Sequence, residues 1–367
     1  MTTQPKEPLL RMAKRDSISP RAAWGIRAGA FLLALITGGL LLLLLGHNPI
    51  TVYSAMISGA WGSPTVARET VKIAVPLLIT SIGISLAFRM KFWNIGAEGQ
   101  ILVGAIAAGW FGLFTATIFP KIPLVLLMMA SSMILGGLYG LLPAICKAKW
   151  GTNETLFTLM LNYIAMQLVS FAIVFWENPR GSNHVGLINS QGKEGWLPSI
   201  GTNSYLLPIL IVLALMVGLY VYMQFSKQGY EIAVVGESEN TAHYAGINVG
   251  RVIIRTMAIS GGIGGLAGYL LATGVGHTIS TGLAGGRGFT AIVVAWLGKL
   301  NPFAMLLVAF FLVFMEKGAI QIATQFNLNE NASDILTGVI LFFILGCEFF
   351  INYRIELRQH AREEVKA

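Results

Sequence analysis

The chain has 367 residues, of which 55% are hydrophobic and only 11% are charged, and its mean hydropathy is +0.69. Soluble domains carry roughly a quarter charged residues, so this composition excludes a soluble globular protein. It predicts an all-α integral membrane protein, because a helix satisfies its own backbone hydrogen bonds in lipid.

Apolar runs recur along the chain, and most approach the roughly 20 residues that a helix needs to cross a bilayer. In chain order they cover residues 28–46, 73–88, 101–119, 122–145, 156–176, 205–225, 252–275, 289–297, 302–323 and 335–351. The run at 289–297 is too short to cross alone and predicts a half-helix or a tightly packed interior segment. Together the runs predict about ten transmembrane segments, some of them broken or re-entrant.

The basic residues indicate how these segments are oriented. If the N-terminal tail, residues 1–27, is cytoplasmic, eighteen Lys and Arg residues fall on its side of the membrane and six on the other. The positive-inside rule then places the C-terminal tail, residues 352–367, in the cytoplasm too, with a transmembrane domain at 28–351 between the tails. We therefore expect a multi-pass protein of the plasma (inner) membrane. The net charge of +8 reflects this topology, so membrane lipid, and not nucleic acid, is expected around it.

Two loops on the extracytoplasmic side are long enough to have structure of their own. Residues 46–70 carry an apolar stripe at i, i+3, i+4 and i+7, which predicts a short helix lying in the membrane interface. Residues 177–204 are rich in Gly, Asn, Ser and Pro, which favours an ordered cap or a receptor-docking surface. A simple connection between two helices is the alternative for this second loop.

One cytoplasmic loop, residues 226–250, is larger than the others. Its middle, from Glu237 to Asn248, combines acidic and small residues, and Gly246 suits the left-handed cap of a helix. We predict a short helix that lies along the membrane surface, where a soluble motor could push on it. A solvated connecting helix is the alternative.

Two polar, glycine-rich interruptions precede apolar runs, at residues 94–99 and 282–288. The first begins the heptapeptide Asn94-Ile-Gly-Ala-Glu-Gly-Gln. Irregular backbone at membrane depth is tolerated only where protein encloses it or water reaches it. Interruptions in both halves of a transporter indicate a substrate pathway, and they are compatible with an inverted repeat of two halves. Between them, small residues at 261, 264, 265 and 268 predict a flat helix face for close packing.

Polar side chains within the apolar runs are few, and each is a functional candidate because charges at bilayer depth are costly. They are Glu98, Gln100, Asn162, Gln167, Glu316, Lys317 and Gln321. Glu98 has two interpretations: it faces the pathway as a ligand or gating group, or it accepts backbone N–H bonds and fixes the broken helix. Glu316 and Lys317 point about 100° apart on a helix, so at least one of them needs a partner on another helix.

Aromatic residues flank both interruptions, namely Phe92, Trp93, Phe289 and Trp296. Their rings could stack on a flat ligand such as a nucleobase, and ordinary packing or interface anchoring is the alternative. With Asn94, Glu98, Gln100 and Asn162, they form the predicted set of substrate-pathway residues.

Several catalytic motifs are absent from the sequence. It contains no G-x-x-x-x-G-K-[ST] loop for ATP phosphates, no G-x-S-x-G elbow and no H-E-x-x-H zinc helix. The five histidines have no metal-ligand spacing. We therefore expect no enzyme activity and no cofactor or metal bound by this chain, and any ATP that drives it must bind to another subunit.

Motifs along most of the chain resemble those of ABC importer permeases of the simple-sugar and branched-chain amino acid class. In order, they are Asn48-Pro-Ile-Thr-Val-Tyr, Ala74-Val-Pro-Leu-Leu, Leu86-Ala-Phe-Arg, the heptapeptide at 94–100, Asn153-Glu-Thr, Met160-Leu-Asn-Tyr-Ile-Ala, the loop at 236–246, Gly288-Phe-Thr-Ala-Ile-Val-Val-Ala and Gly298-Lys-Leu-Asn-Pro. The nearest subgroup is the nucleoside-type permeases that work with receptors of the basic membrane protein kind.

The resemblance implies a heteromeric importer with a second, shorter permease, an ATPase subunit that binds ATP and Mg, and an extracytoplasmic substrate-binding protein. The cytoplasmic loop would supply the helix that couples the permease to the ATPase. Its coupling residues would be Glu237, Ser238, Asn240, Tyr244, Ala245 and Gly246.

The substrate is less well defined than the family. Met90, Lys91 and Trp296 are larger than the residues usual at these places in the family, and this departure bears on the substrate. From the resemblance to the nucleoside-type subgroup a nucleoside is expected, and a simple sugar is the alternative. An ion-coupled secondary transporter, with Glu98 or Glu316 carrying the ion, is the rival from a different class.

Overall fold

The structure is a computed structural model that describes residues 10–15, 18–189, 191–200, 205–327 and 330–357. In chain order, the elements are β1 (Leu10–Lys14), α1 (Pro20–Leu44), α2 (Pro49–Trp61), α3 (Pro64–Arg89), α4 (Ala97–Phe114), α5 (Lys121–Trp150), α6 (Glu154–Trp176), α7 (Leu206–Phe225), α8 (Lys227–Glu237), α9 (Glu239–Tyr244), α10 (Val249–Leu270), a π-helical turn (Leu271–Val275), α11 (Arg287–Leu297), α12 (Pro302–Phe326), α13 (Glu330–Asn352) and β2 (Tyr353–Leu357). The predicted all-α class is confirmed, with one short pair of strands added to it.

Nine helices within the described ranges are long and apolar enough to cross a bilayer. They are α1, α3 to α7, α10 with the π-helical turn, α12 and α13. Helix α11 is apolar but too short to cross, and the irregular residues 276–286 precede it. These residues and α11 make one discontinuous segment, so the prediction of about ten segments with broken helices is confirmed.

Polar caps fix several helix boundaries. The Asn153 side chain accepts a hydrogen bond from the Leu156 N–H at the start of α6, and Asn248 accepts one from Arg251 at the start of α10. Each cap satisfies one of the N–H groups that the first turn of a helix leaves free. Helix α1 begins at Pro20, after the cap Ser19. Its first residues therefore fall within the region 1–27 predicted to be a tail.

The contacts divide the chain into two units. The first comprises Met1–Val66 and Phe314–Ala367. In it, β1 and β2 pair antiparallel, and an ion pair of 2.8 Å between Arg27 and Glu348 joins α1 to α13. The paired strands place the two described ends of the chain next to each other in this unit. The predicted short helix within 46–70 is present as α2, which buries Val52 and Met56.

The second unit comprises Ala67–Val313. Its core is formed by α4, α5 and α10, which meet at glycines: a methyl group on Gly104 would lie 2.5 Å from the Gly265 Cα, and one on Gly136 would lie 2.5 Å from the Gly261 carbonyl oxygen. The predicted flat face of small residues on α10 is therefore confirmed as a packing surface. Loop 226–250 is largely helical, because Ser226 caps α8 and Ser238 caps α9.

Candidate functional site

Glu98 joins the two interruptions of the second unit. It lies in the first turn of α4, and its side chain is buried. One carboxylate oxygen accepts a 2.8 Å hydrogen bond from the Gly286 N–H, and the other accepts one of 2.7 Å from Gly288. These donors belong to the start of α11, where a helix has free N–H groups and the positive end of its dipole. The carboxylate therefore holds the half-helix by charge and by two hydrogen bonds.

Glycine is required at both of these donor positions. The φ angle of Gly286 is +74°, a left-handed conformation that a side chain disfavours. A Cβ on Gly288 would overlap the backbone nitrogen of Glu98. The predicted interruptions at 94–99 and 282–288 thus meet each other, backbone against backbone.

Asn94 organises the polar interior of the first interruption. Its Oδ1 accepts a 3.0 Å hydrogen bond from the Gly96 N–H, and its Nδ2 lies 3.4 Å from Gln100 Oε1 and 3.5 Å from Ser260 Oγ. Asn94, Gln100 and Ser260 are all buried. The side chain therefore ties the irregular backbone to α4 and α10.

Asn162 of α6 satisfies the same segment from the other side. Its Nδ2 donates to the Ile95 carbonyl at 2.9 Å, and its Oδ1 accepts from the Gly99 N–H at 2.9 Å. Thr158 Oγ1 also accepts a 3.2 Å bond from the Ile95 N–H. Side chains thus replace the intrahelical hydrogen bonds that the interruption lacks, which is what irregular backbone at membrane depth requires.

The predicted substrate-pathway residues fall into two groups. Five are buried: Phe92, Asn94, Glu98, Gln100 and Asn162. The bonds of Glu98 are those of its structural interpretation, as an acceptor that fixes the broken segments. The other three are exposed, with Trp93 and Phe289 at 44% and Trp296 at 51%, and we call them the aromatic face.

The aromatic face combines residues that flank the two interruptions. The rings of Trp93 and Trp296 are stacked, with centroids 5.6 Å apart and an interplanar angle of 23°. The Phe88 ring contacts both of them, with its centroid 5.4 Å from that of Trp93 and 5.9 Å from that of Trp296. Phe289 lies seven residues before Trp296, on the same side of α11. Trp93 and Trp296 thus meet where the turn after α3 contacts the last turn of α11.

An ordered cap packs against the residues that lead into the second interruption. The cap comprises residues 177–189 and 191–200, and the remainder of the predicted loop at 177–204 lies outside the described residues. Ile188 donates its N–H to the His277 carbonyl at 2.8 Å, and the Trp196 ring stacks on His277 with a centroid distance of 3.6 Å. No expectation from the sequence pointed to this pair, whose one signal is a tryptophan within a polar loop.

His277 is electrostatically unusual within this contact. Partial burial lowers the pKa of its imidazole below the ordinary value of 6.5, and the positive charges of Lys72 and Lys193 lower it further. The lowered pKa favours the neutral imidazole over the imidazolium in this contact.

The predicted coupling residues form an exposed surface at α9. Ser238 Oγ accepts a hydrogen bond from the Thr241 N–H at the start of the helix, and Gly246 follows its end with φ +74°. The predicted short helix with a left-handed cap is therefore confirmed. Tyr244 is 93% exposed, and Glu237, Asn240, Ala245 and Gly246 are exposed as well.

Glu316 and Lys317 of α12 do not show the expected partner on another helix. Glu316 is exposed and Lys317 is partly buried, and neither forms an ion pair or hydrogen bond with any residue in the described ranges. A charged carboxylate within a membrane-crossing helix is costly unless it is paired or hydrated. Glu316 therefore still needs either water or a positive charge that lies outside the described ranges.

Comparison with known proteins adds independent information. Residues 66–345 match the family described as branched-chain amino acid transport system / permease component. The guanosine ABC transporter permease protein NupP of Bacillus subtilis is 31% identical over 322 residues, which are 86% of this chain and 91% of that protein. The nucleoside ABC transporter permease protein NupB of Lactococcus lactis is 28% identical, with 92% and 93% covered. The glucose ABC transporter permease protein TsgB13 of Haloferax volcanii is 27% identical, with 94% and 93% covered.

Proposed function

The chain belongs to the family of branched-chain amino acid transport system permease components, and from that membership we propose that it is the membrane-spanning subunit of an ATP-driven nucleoside importer. Relatives named as guanosine and nucleoside permeases support this substrate class. A relative named as a glucose permease supports the alternative, a simple sugar.

The single observation that carries the proposal is the Glu98 bond to the start of α11, since it holds a half-helix with its aromatic face exposed. Broken helices of this kind place transported substrates between the two halves of a transporter. A nucleobase can stack on an indole ring, and such stacking contributes about 1–3 kcal/mol per base. A sugar depends largely on hydrogen bonds, and within the aromatic face only the indole N–H groups of Trp93 and Trp296 can donate them. The aromatic face therefore favours a base over a sugar.

The exposed surface at α9 is the proposed contact with the ATPase subunit. Tyr244 has the properties of an anchor residue, a large aromatic side chain that can fill a pocket on a partner. In this proposal, α8, α9 and both chain ends face the cytoplasm, and the cap faces the extracytoplasmic binding protein. The ATPase subunit binds ATP and Mg, and a second permease completes the pathway.

Transport then follows from two states of the permease. Closure of the ATPase subunits on ATP moves α9, and the segments at the two interruptions tilt so that the pathway opens to alternate sides. The energy difference between the states is a few kcal/mol, which nucleotide and the docked binding protein can reverse.

Reconstitution in proteoliposomes tests the proposal. The permease, its ATPase subunit, a second permease and the binding protein are combined, and uptake of radiolabelled guanosine is compared with that of glucose. We expect uptake of guanosine only with ATP and all four subunits. Gradient-driven uptake by this subunit alone would instead establish a secondary transporter, and ATP-driven uptake of glucose alone would establish the sugar alternative.

A further inference from the structure

Gly236 brings the end of α8 into direct contact with the end of α3. The glycine is buried, and a Cβ at this position would overlap the carbonyl oxygen of Arg89 and lie 3.1 Å from the Met90 Cα. The contact is therefore between two backbones, without a flexible side chain between them. A displacement of α8 at this point must displace the turn that follows α3.

Lys91 adds a second link to the same turn. Its ammonium group donates a 3.2 Å hydrogen bond to the carbonyl of Glu237, the last residue of α8. The Lys91 backbone has φ +57°, a left-handed conformation that costs free energy in a residue other than glycine. A strained backbone that is held by a specific contact with α8 marks this turn as one whose conformation depends on α8.

The turn is also attached to the second interruption. The Arg89 guanidinium donates a 3.4 Å hydrogen bond to the Leu300 carbonyl, three residues after α11 ends. Phe88 and Trp93, at either end of the turn, both contact the ring of Trp296. The turn at 88–93 therefore contacts α8 on one side and the last turn of α11 on the other.

Alternative routes from α9 are less suited to carry movement. Helix α10 follows α9 directly, but its backbone is packed against α4 and α5 at glycines along its length. Close-packed helices move as rigid bodies, whereas irregular turns absorb changes in backbone angles. Residues 90–96 have no helix of their own and continue directly into the first interruption.

We infer that Gly236, Arg89 and Lys91 are positioning residues that transmit movement of α8 and α9 to both interruptions. The inference rests on the proposed function, because it takes α9 as the surface on which the ATPase subunit acts. It adds a route by which that action reaches the aromatic face, through the turn at 88–93, beside the ion pair of 3.0 Å by which Glu231 of α8 is also joined to Arg255 of α10.

The test uses the complete complex in proteoliposomes with Gly236→Ala, and Gly250→Ala serves as the matched control. Gly250 lies in the same segment, and a Cβ there would meet its nearest neighbour at an ordinary 3.5 Å. We expect Gly236→Ala to keep the ATPase subunit bound and ATP hydrolysis running while nucleoside molecules imported per ATP fall roughly tenfold, a usual size for coupling between two sites. Gly250→Ala should behave as the natural protein does.

A second variant keeps the inference testable if Gly236→Ala is not recovered from membranes. Lys91→Met removes the ammonium donor and retains the length of the side chain, with Lys227→Met at the exposed start of α8 as its charge-matched control. We expect Lys91→Met to lower transport per ATP and Lys227→Met to leave it unchanged. We also expect ATP to change the tryptophan fluorescence of the complex through Trp296. Trp296→Phe should remove this change, and Lys91→Met should abolish it as well.

Three results would overturn the inference. Transport per ATP equal to that of the natural protein in Gly236→Ala and Lys91→Met would exclude transmission through this turn. Loss of the ATPase subunit from either variant would show that the contact serves docking instead. Equal losses in a variant and its control would show a general effect on the loop. Failure of the natural complex to import with ATP would instead contradict the proposed function itself.

Discussion

Glu98 and Gly288 are 190 positions apart in the sequence, and a 2.7 Å hydrogen bond joins the carboxylate of the first to the backbone N–H of the second. This bond joins the two interruptions in space, although they are far apart in the sequence. Both carboxylate oxygens have backbone donors from the start of α11. The buried carboxylate thus fixes the half-helix that carries the aromatic face.

Replacing Glu98 with Gln tests this role. Glutamine keeps the volume and one acceptor oxygen, but it removes the charge and turns an NH₂ group toward one of the two N–H donors. We expect a loss of about 1–3 kcal/mol, because a buried donor is left without an acceptor. The loss would appear as a lower midpoint of thermal inactivation in detergent. Glu69→Gln is the control: Glu69 forms an exposed ion pair with Lys72, and its replacement should change the midpoint little. An unchanged midpoint in Glu98→Gln would contradict the role assigned to Glu98.

Gly288→Ala tests the close approach of the two interruptions. The added methyl group would overlap the Glu98 nitrogen, so α11 must shift, at a cost of about 1–3 kcal/mol. We expect ATP-driven uptake to fall sharply. Gly282→Ala in the same irregular segment has nothing within 4 Å of the new Cβ and should transport normally. Equal uptake by the two variants would show that the approach is not required.

The aromatic face predicts a graded response to substitution at Trp296. Phenylalanine retains part of the stacking surface and leucine retains none, so guanosine uptake should decrease in the order Trp, Phe, Leu, by roughly tenfold overall. Trp110→Leu is the control, since Trp110 is similarly exposed at 46% but lies on α4 away from this face. Initial uptake rates at saturating binding protein give the comparison. If Trp296→Leu imports as fast as the natural protein, the ring does not contact the substrate.

Tyr244 and Glu237 are expected to hold the ATPase subunit. Replacing both with Ala should weaken its binding by more than about 2 kcal/mol, the range of anchor residues at interfaces. Less ATPase subunit should then purify with the permease, and uptake should fall while the permease stays in the membrane. Tyr230→Ala on α8 is the control, because Tyr230 is also exposed, at 63%. Unchanged uptake in the double variant would contradict the proposed coupling surface.

The cap should loosen in acid because of His277. A histidine whose pKa is lowered by folding stabilises the fold fully only above its ordinary pKa, and this contribution is lost as pH falls through the folded-state pKa. Proteolysis of residues 185–197 should therefore accelerate as pH is lowered below 6.5. His277→Phe retains a ring to stack on Trp196 and should abolish the pH dependence, whereas His184→Phe, in the exposed part of the cap, should preserve it. Identical pH profiles for the natural protein and His277→Phe would disprove the explanation.

Much of this architecture could be predicted from the sequence. Hydrophobic run length gave the number of crossing segments, and the short run at 289–297 indicated α11 because eleven residues cannot span a bilayer. The helical period placed Phe289 and Trp296 on one face. Gly246 marked the end of α9, because a glycine cap is a chemical signal that lies within a few residues of the helix.

The remainder depended on contacts between distant parts of the chain. The sequence placed Asn94, Gln100 and Asn162 in the membrane, but only their partners show that they face inward. A polar side chain near an interruption satisfies the same hydropathy pattern whether it faces a pathway or the neighbouring backbone. The contact of Gly236 with Arg89 has no local signal either, since a glycine near a helix end usually serves as a cap.

The pairing of Leu10–Lys14 with Tyr353–Leu357 has a consequence for biosynthesis. The first strand leaves the ribosome long before its partner is made, so every helix between them must be synthesised before the two strands can meet. Until then, β1 presents unpaired backbone groups that other chains could use. Pairing in this small sheet can therefore begin only after residues 353–357 have been synthesised, and any product that stops before them keeps β1 with an unpaired edge.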